Sequence, residues 1–155
     1  VNQLSTTIPR FHTYNPHLAS GAQPRPEHFA ELKAQGFEAV VNLSPASTRN
    51  ALADEAALVE GQGLDYVHFP IDCSRLRPTH YLTFAGILNG LSGKKVFVHR
   101  GGNIKSSNLV HMYHVLHEGQ KEGRSLAVLR TLQDPEEKWF TYFRSMGMKG
   151  LTSQE

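Results

Sequence analysis

The sequence predicts an α/β fold with a mainly parallel sheet and helices on both faces. Compact apolar strand patterns alternate with helical patterns along the chain. Glycines and prolines punctuate them where elements should begin and end. The length of 155 residues, with no internal repeat and no low-complexity linker, fits one domain spanning 1–155.

Residues 1–23 are irregular in pattern, with a strand expected near Arg10–Tyr14; 1–18 is taken as an N-terminal segment of the single domain. "QPRPEHFAELKAQGF" reads as a helix, with Pro26 at its first position, Gly36 past its end, and Phe29 and Leu32 on its buried face. Phe37–Leu43 is a compact buried strand, "SPAST" a loop, and "RNALADEAALVEGQG" a second helix closed by Gly61 and Gly63. The strand "LDYVHFPI" stops near Pro70, and the loop "DCSRLRPT" leads to the helix "HYLTFAGILNGL". "KKVFVH" is the third clear strand, and "SSNLVHMYHVLHEG" a helix with Ser106 or Ser107 as its cap. "SLAVLRTLQ" and "PEEKWFTYFRSM" are helices that finish the chain.

The hydrophobic fraction of 39% and charged fraction of 19% are those of an ordinary globule. No apolar run approaches the roughly 18 residues of a membrane span, so a soluble chain is expected. The start at Val1 leaves both a cytoplasmic protein and one exported after loss of a leader open. The single Cys73 forms no internal disulfide and fits a reducing or an oxidising compartment. The net charge of +2 hides an asymmetry. From Cys73 to His117 there is no Asp or Glu, yet the segment holds Arg75, Arg77, Lys94, Lys95, Arg100 and Lys105. Such a field attracts anions, unless acids from elsewhere in the fold cover it. A nucleic-acid surface would call for a denser basic stripe with exposed aromatics, so nucleic acid is not the expected partner.

In parallel sheets ligands bind beyond the carboxyl ends of the strands. Two loops with chemistry emerge there, 70–78 and 99–106. Together they predict a site of Asp72, Arg75, Arg77, His99, Arg100 and Lys105. Gly101 and Gly102 let successive amides converge on an anion, and the following helix start adds positive charge. Lys105 is a mobile point charge, and Arg100 can offer two parallel hydrogen bonds to phosphate or carboxylate. A tight strand–helix turn with glycines for packing and serines for capping fits the same residues. A Walker A motif is excluded, because His99 and Ile104 stand where its glycines belong.

The stretches "SGAQPRPEHFAELKAQGFEAVVNL", "DEAALVEGQGLDYVHFPID" and "GKKVFVH" resemble the beta-lactamase-hydrolase-like phosphatase family. That is a bacterial branch of the cysteine-dependent tyrosine and dual-specificity phosphatases. The resemblance covers Ala19 to Phe143 and implies a three-layer α/β/α sandwich with a phosphate loop between a central strand and a helix. In that superfamily a loop Cys attacks phosphorus, a loop Arg grips the phosphoryl oxygens, and an Asp from a neighbouring loop protonates the leaving group. Carried over, the loop histidine is His99 and Arg100 stands at the nucleophile position. Asn103 matches the short loop of the branch, which puts the closing Arg on Lys105; in the longer loop of the wider superfamily it falls on Ser106. Asp72 is the general-acid candidate, or else a loop residue bridged to Arg75 or Arg77. His99 is a buried orienter bonded to loop backbone. The anion-binding set is then Arg100, Gly101, Gly102, Asn103, Ile104, Lys105 and Ser106.

Arg100 cannot form a phosphoenzyme, and Lys105 keeps charge without the bidentate fork. Cys73 lies in another loop without a glycine cradle and reads as a small buried hydrophobe. The resemblance therefore implies a phosphatase-like domain without its covalent step that binds a phosphate-like or other small anion, or a phosphorylated ligand. Two alternatives stand beside it. One is a hydrolase using water activated by His99 or Asp72; the other is a protein-interaction module on a degenerate phosphatase fold. No cofactor or metal is expected. His111, His114 and His117 suggest metal, but only the first pair can share a helix face. Ser106 or Ser107 as a nucleophile would need His111 as its base. Trp139, Phe140, Tyr142 and Phe143 pattern as core, with an exposed binding face as the alternative.

Overall fold

A computed structural model describes residues 7–102 and 104–152. Five strands form one sheet: β1 (His12–Asn15), β2 (Leu18–Gly21), β3 (Ala39–Asn42), β4 (Asp65–His68) and β5 (Val96–His99). Their order is β1-β2-β5-β3-β4. Only the β1–β2 hairpin is antiparallel; β2, β5, β3 and β4 run parallel. Six helices complete the described chain: α1 (His28–Ala34), α2 (Glu55–Gly61), α3 (Pro78–Gly90), α4 (Ile104–Leu116), α5 (Glu122–Leu132) and α6 (Glu137–Ser145).

The inner strands β2, β5 and β3 bury both faces, so their residues split by parity into two cores. Ala19, Val40 and Phe97 pack with Phe29 and Leu32 of α1 and Val59 of α2. Leu18, Ala39, Val41, Val96 and Val98 pack on the other face with side chains of α3 to α6. Gly21 is fixed by close approach on the α1 side: a Cβ there would meet Phe97 Cζ at 3.0 Å and Ile8 Cγ2 at 3.1 Å. Trp139, Phe140, Tyr142 and Phe143 are all buried, which makes them core.

Several boundaries differ from the sequence expectation. β2 falls in the stretch read as irregular, because "LASG" has no β-branched residue and no alternation. Its strand state comes from pairing on both sides. α1 begins at His28 rather than Pro26, since residues 25–28 close a turn with His28 N–H on the Arg25 carbonyl at 2.9 Å. α2 begins at Glu55 rather than near Arg49, after turns at 46–54. α4 begins at Ile104, so Ser106 and Ser107 lie inside its first turn and are not its cap.

The registers align the strand ends. Gly21 pairs with His99, His99 with Asn42, and Asn42 with His68. Loops 22–27, 43–54, 69–77 and 100–103 all leave from this row, so they share one edge of the sheet. Among the described residues no helix is long and apolar enough to cross a membrane.

Candidate functional site

His99 ends the central strand and is fully buried. Its Nε2 lies 2.7 Å from Oε2 of Glu55, the first residue of α2, itself 2% exposed. The other Glu55 oxygen accepts from Gln23 Nε2 at 2.8 Å. Burial alone would raise the Glu55 carboxyl. The hydrogen bond and electrostatic attraction of His99, with the Gln23 amide, outweigh it and hold the group below the usual carboxylate range. His99 thus takes a side-chain carboxylate as partner, where the sequence pointed to loop backbone. Its Nδ1 has no partner among the described residues.

The same network holds the loop that follows. Gln23 N–H donates to the Gly101 carbonyl at 2.9 Å, and Gly101 N–H donates to Ser44 Oγ at 3.1 Å. Gly101 has φ +52, a region that favours glycine. Its amide is therefore committed to Ser44, and amides offered to a ligand must come from later in the loop. Gln23, Ser44 and Glu55 were not singled out from sequence. Their roles depend on contacts 32 to 57 residues away along the chain.

Arg100 is half-buried and turns to the neighbouring loop. Its Nε and Nη2 donate to the Ile71 carbonyl at 3.2 and 2.9 Å. This strap brings the two predicted loops together while using two of the five guanidinium N–H groups. Asp72, next in the strapped loop, is exposed. Its Oδ1 accepts from Ser74 Oγ at 2.6 Å and Ser74 N–H at 3.0 Å rather than pairing with Arg75 or Arg77. These bonds, with smaller help from the charges of Arg75 and Arg100, hold its carboxyl below the ordinary value. Such a carboxylate is ionised at neutral pH and has no proton ready for a leaving group. Cys73 is 1% exposed. Burial pushes its thiol up, against the charges of Arg100, Lys105 and Lys138.

Gly102 is exposed. Asn103 lies outside the described residues. Ile104 opens α4, Lys105 is half-buried in its first turn, and Ser106 is fully buried. The first-turn amides of a helix have no intrahelical acceptor, and that end carries partial positive charge. Arg75 and Arg77 are exposed. Among the described residues none of Arg75, Arg77, Arg100 and Lys105 enters an ion pair. Midway along the basic segment, Lys94 pairs with Asp65.

The remaining histidines diverge. His111 Nδ1 meets Ser125 Oγ at 2.7 Å, His114 Nε2 lies 3.4 Å from Glu118, and His117 Nδ1 meets Tyr81 Oη at 2.6 Å. Among the described residues no three His, Cys, Asp or Glu side chains gather as metal ligands. The buried Ser106 and Ser107 leave no exposed hydroxyl for a serine mechanism, and His111 is engaged with Ser125.

This order of strands, with the glycine loop between the central strand and α4, is the tyrosine and dual-specificity phosphatase fold. The chain is similar to a DUF442 protein of Shewanella putrefaciens CN-32 that is itself a candidate phosphatase. The match has TM-score 0.81 and 25% identity over 92% of this chain and 94% of that one. A variant of P. aeruginosa TpbA in complex with pTyr matches with TM-score 0.71 and 16% identity, over 97% and 89%. The core catalytic domain of the S. cerevisiae PP-IP phosphatase SIW14, in complex with citrate, matches with TM-score 0.73 and 11% identity, over 88% and 86%. No family model matches the chain. No curated protein matches it in sequence.

Proposed function

We propose that this chain is a phosphatase-like domain that binds a phosphate-like or carboxylate-like anion in loop 99–106 and lacks the covalent cysteine step. One observation carries the reading. The chain's only thiol, Cys73, is buried in the β4–α3 loop, while the first position of the glycine loop holds Arg100. A thiolate there would repel an incoming anion until it attacked; a guanidinium attracts the anion and cannot attack it. Arg100 keeps three N–H groups beyond those on Ile71, Lys105 adds charge, and the first turn of α4 adds dipole. His99 and Asp72 then act as positioning groups, one holding the loop from beneath and the other shaping loop 69–77. The solved neighbours bound to pTyr and citrate support a site of this kind, since both ligands are anions.

A crystal soaked in sulfate tests this directly. The expected result is an oxyanion about 2.7–3.2 Å from loop amides beyond Gly101 and from Arg100. Phosphate titrated calorimetrically should bind about 10-fold more weakly to Arg100→Ala, the loss of one charge-assisted contact. An empty loop in the soak, or aryl phosphate turnover that Asp72→Asn abolishes, would overturn the reading.

A further inference from the structure

Two cations from different elements converge on three consecutive residues of the β4–α3 loop. Arg100 holds the Ile71 carbonyl. Lys138, in the first turn of α6, donates Nζ to the Cys73 carbonyl at 3.1 Å. Carbonyls two residues apart are at most about 7 Å from each other. Lys105 is close enough for its charge, like theirs, to bear on the Cys73 thiol. Arg75 and Arg77 lie in the same loop.

None of these five cations has an ion-pair partner among the described residues. The loop's one carboxylate, Asp72, turns to Ser74. Glu137, beside Lys138 in sequence, faces Arg144 at 3.9 Å. Neutral carbonyls position a cation without neutralising it, and the one ionised Asp72 offsets only part of the gathered charge, so the loop keeps a net positive field that attracts an anion. Between the loop and α6 opens a cavity of about 270 Å³, lined by Cys73, Ser74, Lys138, Thr141 and Tyr142 among others.

We infer that Lys138 is the outer cation of the anion site, and that the site takes a small ligand with two or more linked phosphate groups. One group occupies loop 99–106 and the next sits against Lys138. The inference rests on the reading above, that loop 99–106 is an anion site, and deepens it by naming the ligand class.

Calorimetry with inorganic phosphate and with pyrophosphate, both in EDTA, separates the two claims. The wild-type chain should bind pyrophosphate at least about 10-fold more tightly than phosphate. Lys138→Met keeps the stem and removes the charge. It should erase most of that preference, lowering pyrophosphate affinity more than phosphate affinity, and Lys138→Arg should restore it. Phosphate binding with no pyrophosphate preference, or a preference unmoved by Lys138→Met, overturns this inference alone. Failure of both ligands to bind overturns the anion site as well.

Discussion

A carboxylate and an imidazole buried together survive only if each satisfies the other, and Glu55 and His99 do so at 2.7 Å. The pair sits beneath the glycine loop, and Gln23 ties it to the Gly101 carbonyl through its own backbone. Removing the carboxylate leaves the buried His99 ring without its side-chain partner and takes from the Gln23 amide one of its two acceptors, the other being the Pro24 carbonyl. Glu55→Ala is therefore expected to lower the unfolding free energy by about 3–4 kcal/mol, the cost of breaking a buried pair. Glu55→Gln, which keeps an acceptor, should lose less than half of that. Urea unfolding of both variants at pH 7 checks the order; equal losses would mean that packing, not the pairing, is what Glu55 supplies. Nothing in "DEAALVEG" marks this residue, because acids on a short helix usually face solvent. Only the fold brings the helix start over the end of β5.

At the scale of elements, α1 and α3 start with the same device. Arg25-Pro26-Glu27-His28 and Arg77-Pro78-Thr79-His80 each place the His Nδ1 3.0 Å from the Arg backbone N–H. In each, the His N–H returns to the Arg carbonyl, at 2.9 and 3.0 Å. The ring accepts at Nδ1, so Nε2 carries the proton. Sequence reasoning seeks Ser, Thr, Asp or Asn at helix starts and misses an imidazole doing that work. α4 holds the other elemental consequence. His111 and His114 are buried in it, and desolvation lowers each to about 4. Glu118, 3.4 Å from His114, does not reverse this, and burial pushes its own carboxyl up. A depressed folded pKa means that the unfolded chain binds more protons, so stability rises with pH across this window. Their contribution is complete above about pH 6.5 and is lost as pH falls toward about 4, at up to about 1.4 kcal/mol per group per pH unit. Urea midpoints at pH 7.5, 6.0 and 5.0 should fall in that order, and His114→Leu should flatten the fall. A midpoint constant across that range would show that these rings are not held neutral.

For the whole molecule, the alternation of strands and helices was legible, and so was the edge at which the two loops meet. β2 was not, since its state comes from β1 and β5 on either side rather than from its own residues. The glycine loop was legible as a place, but its ties to Gln23, Ser44 and Ile71 were not. Those ties bear on what a cysteine placed in the loop could do. Arg100→Cys with Lys105→Arg puts a thiol at the loop's first position and a forked cation at its close. The thiol would sit over the first turn of α4, where a thiolate is favoured. The same change cuts the Arg100 strap on Ile71, freeing the loop that carries Asp72. Asp72 stays depressed by Ser74, so proton donation to a leaving group remains poor near pH 7. The double variant is therefore expected to hydrolyse p-nitrophenyl phosphate, whose phenolate leaves without a proton, and to favour it strongly over phenyl phosphate. Adding Ser74→Ala removes the hydroxyl bond, the larger of the two Ser74 contacts that hold Asp72 low, leaves the backbone one, and should narrow that gap. Burst and steady-state release of the two phenols measure it. A double variant that binds phosphate yet releases neither phenol would place the nucleophile somewhere other than position 100.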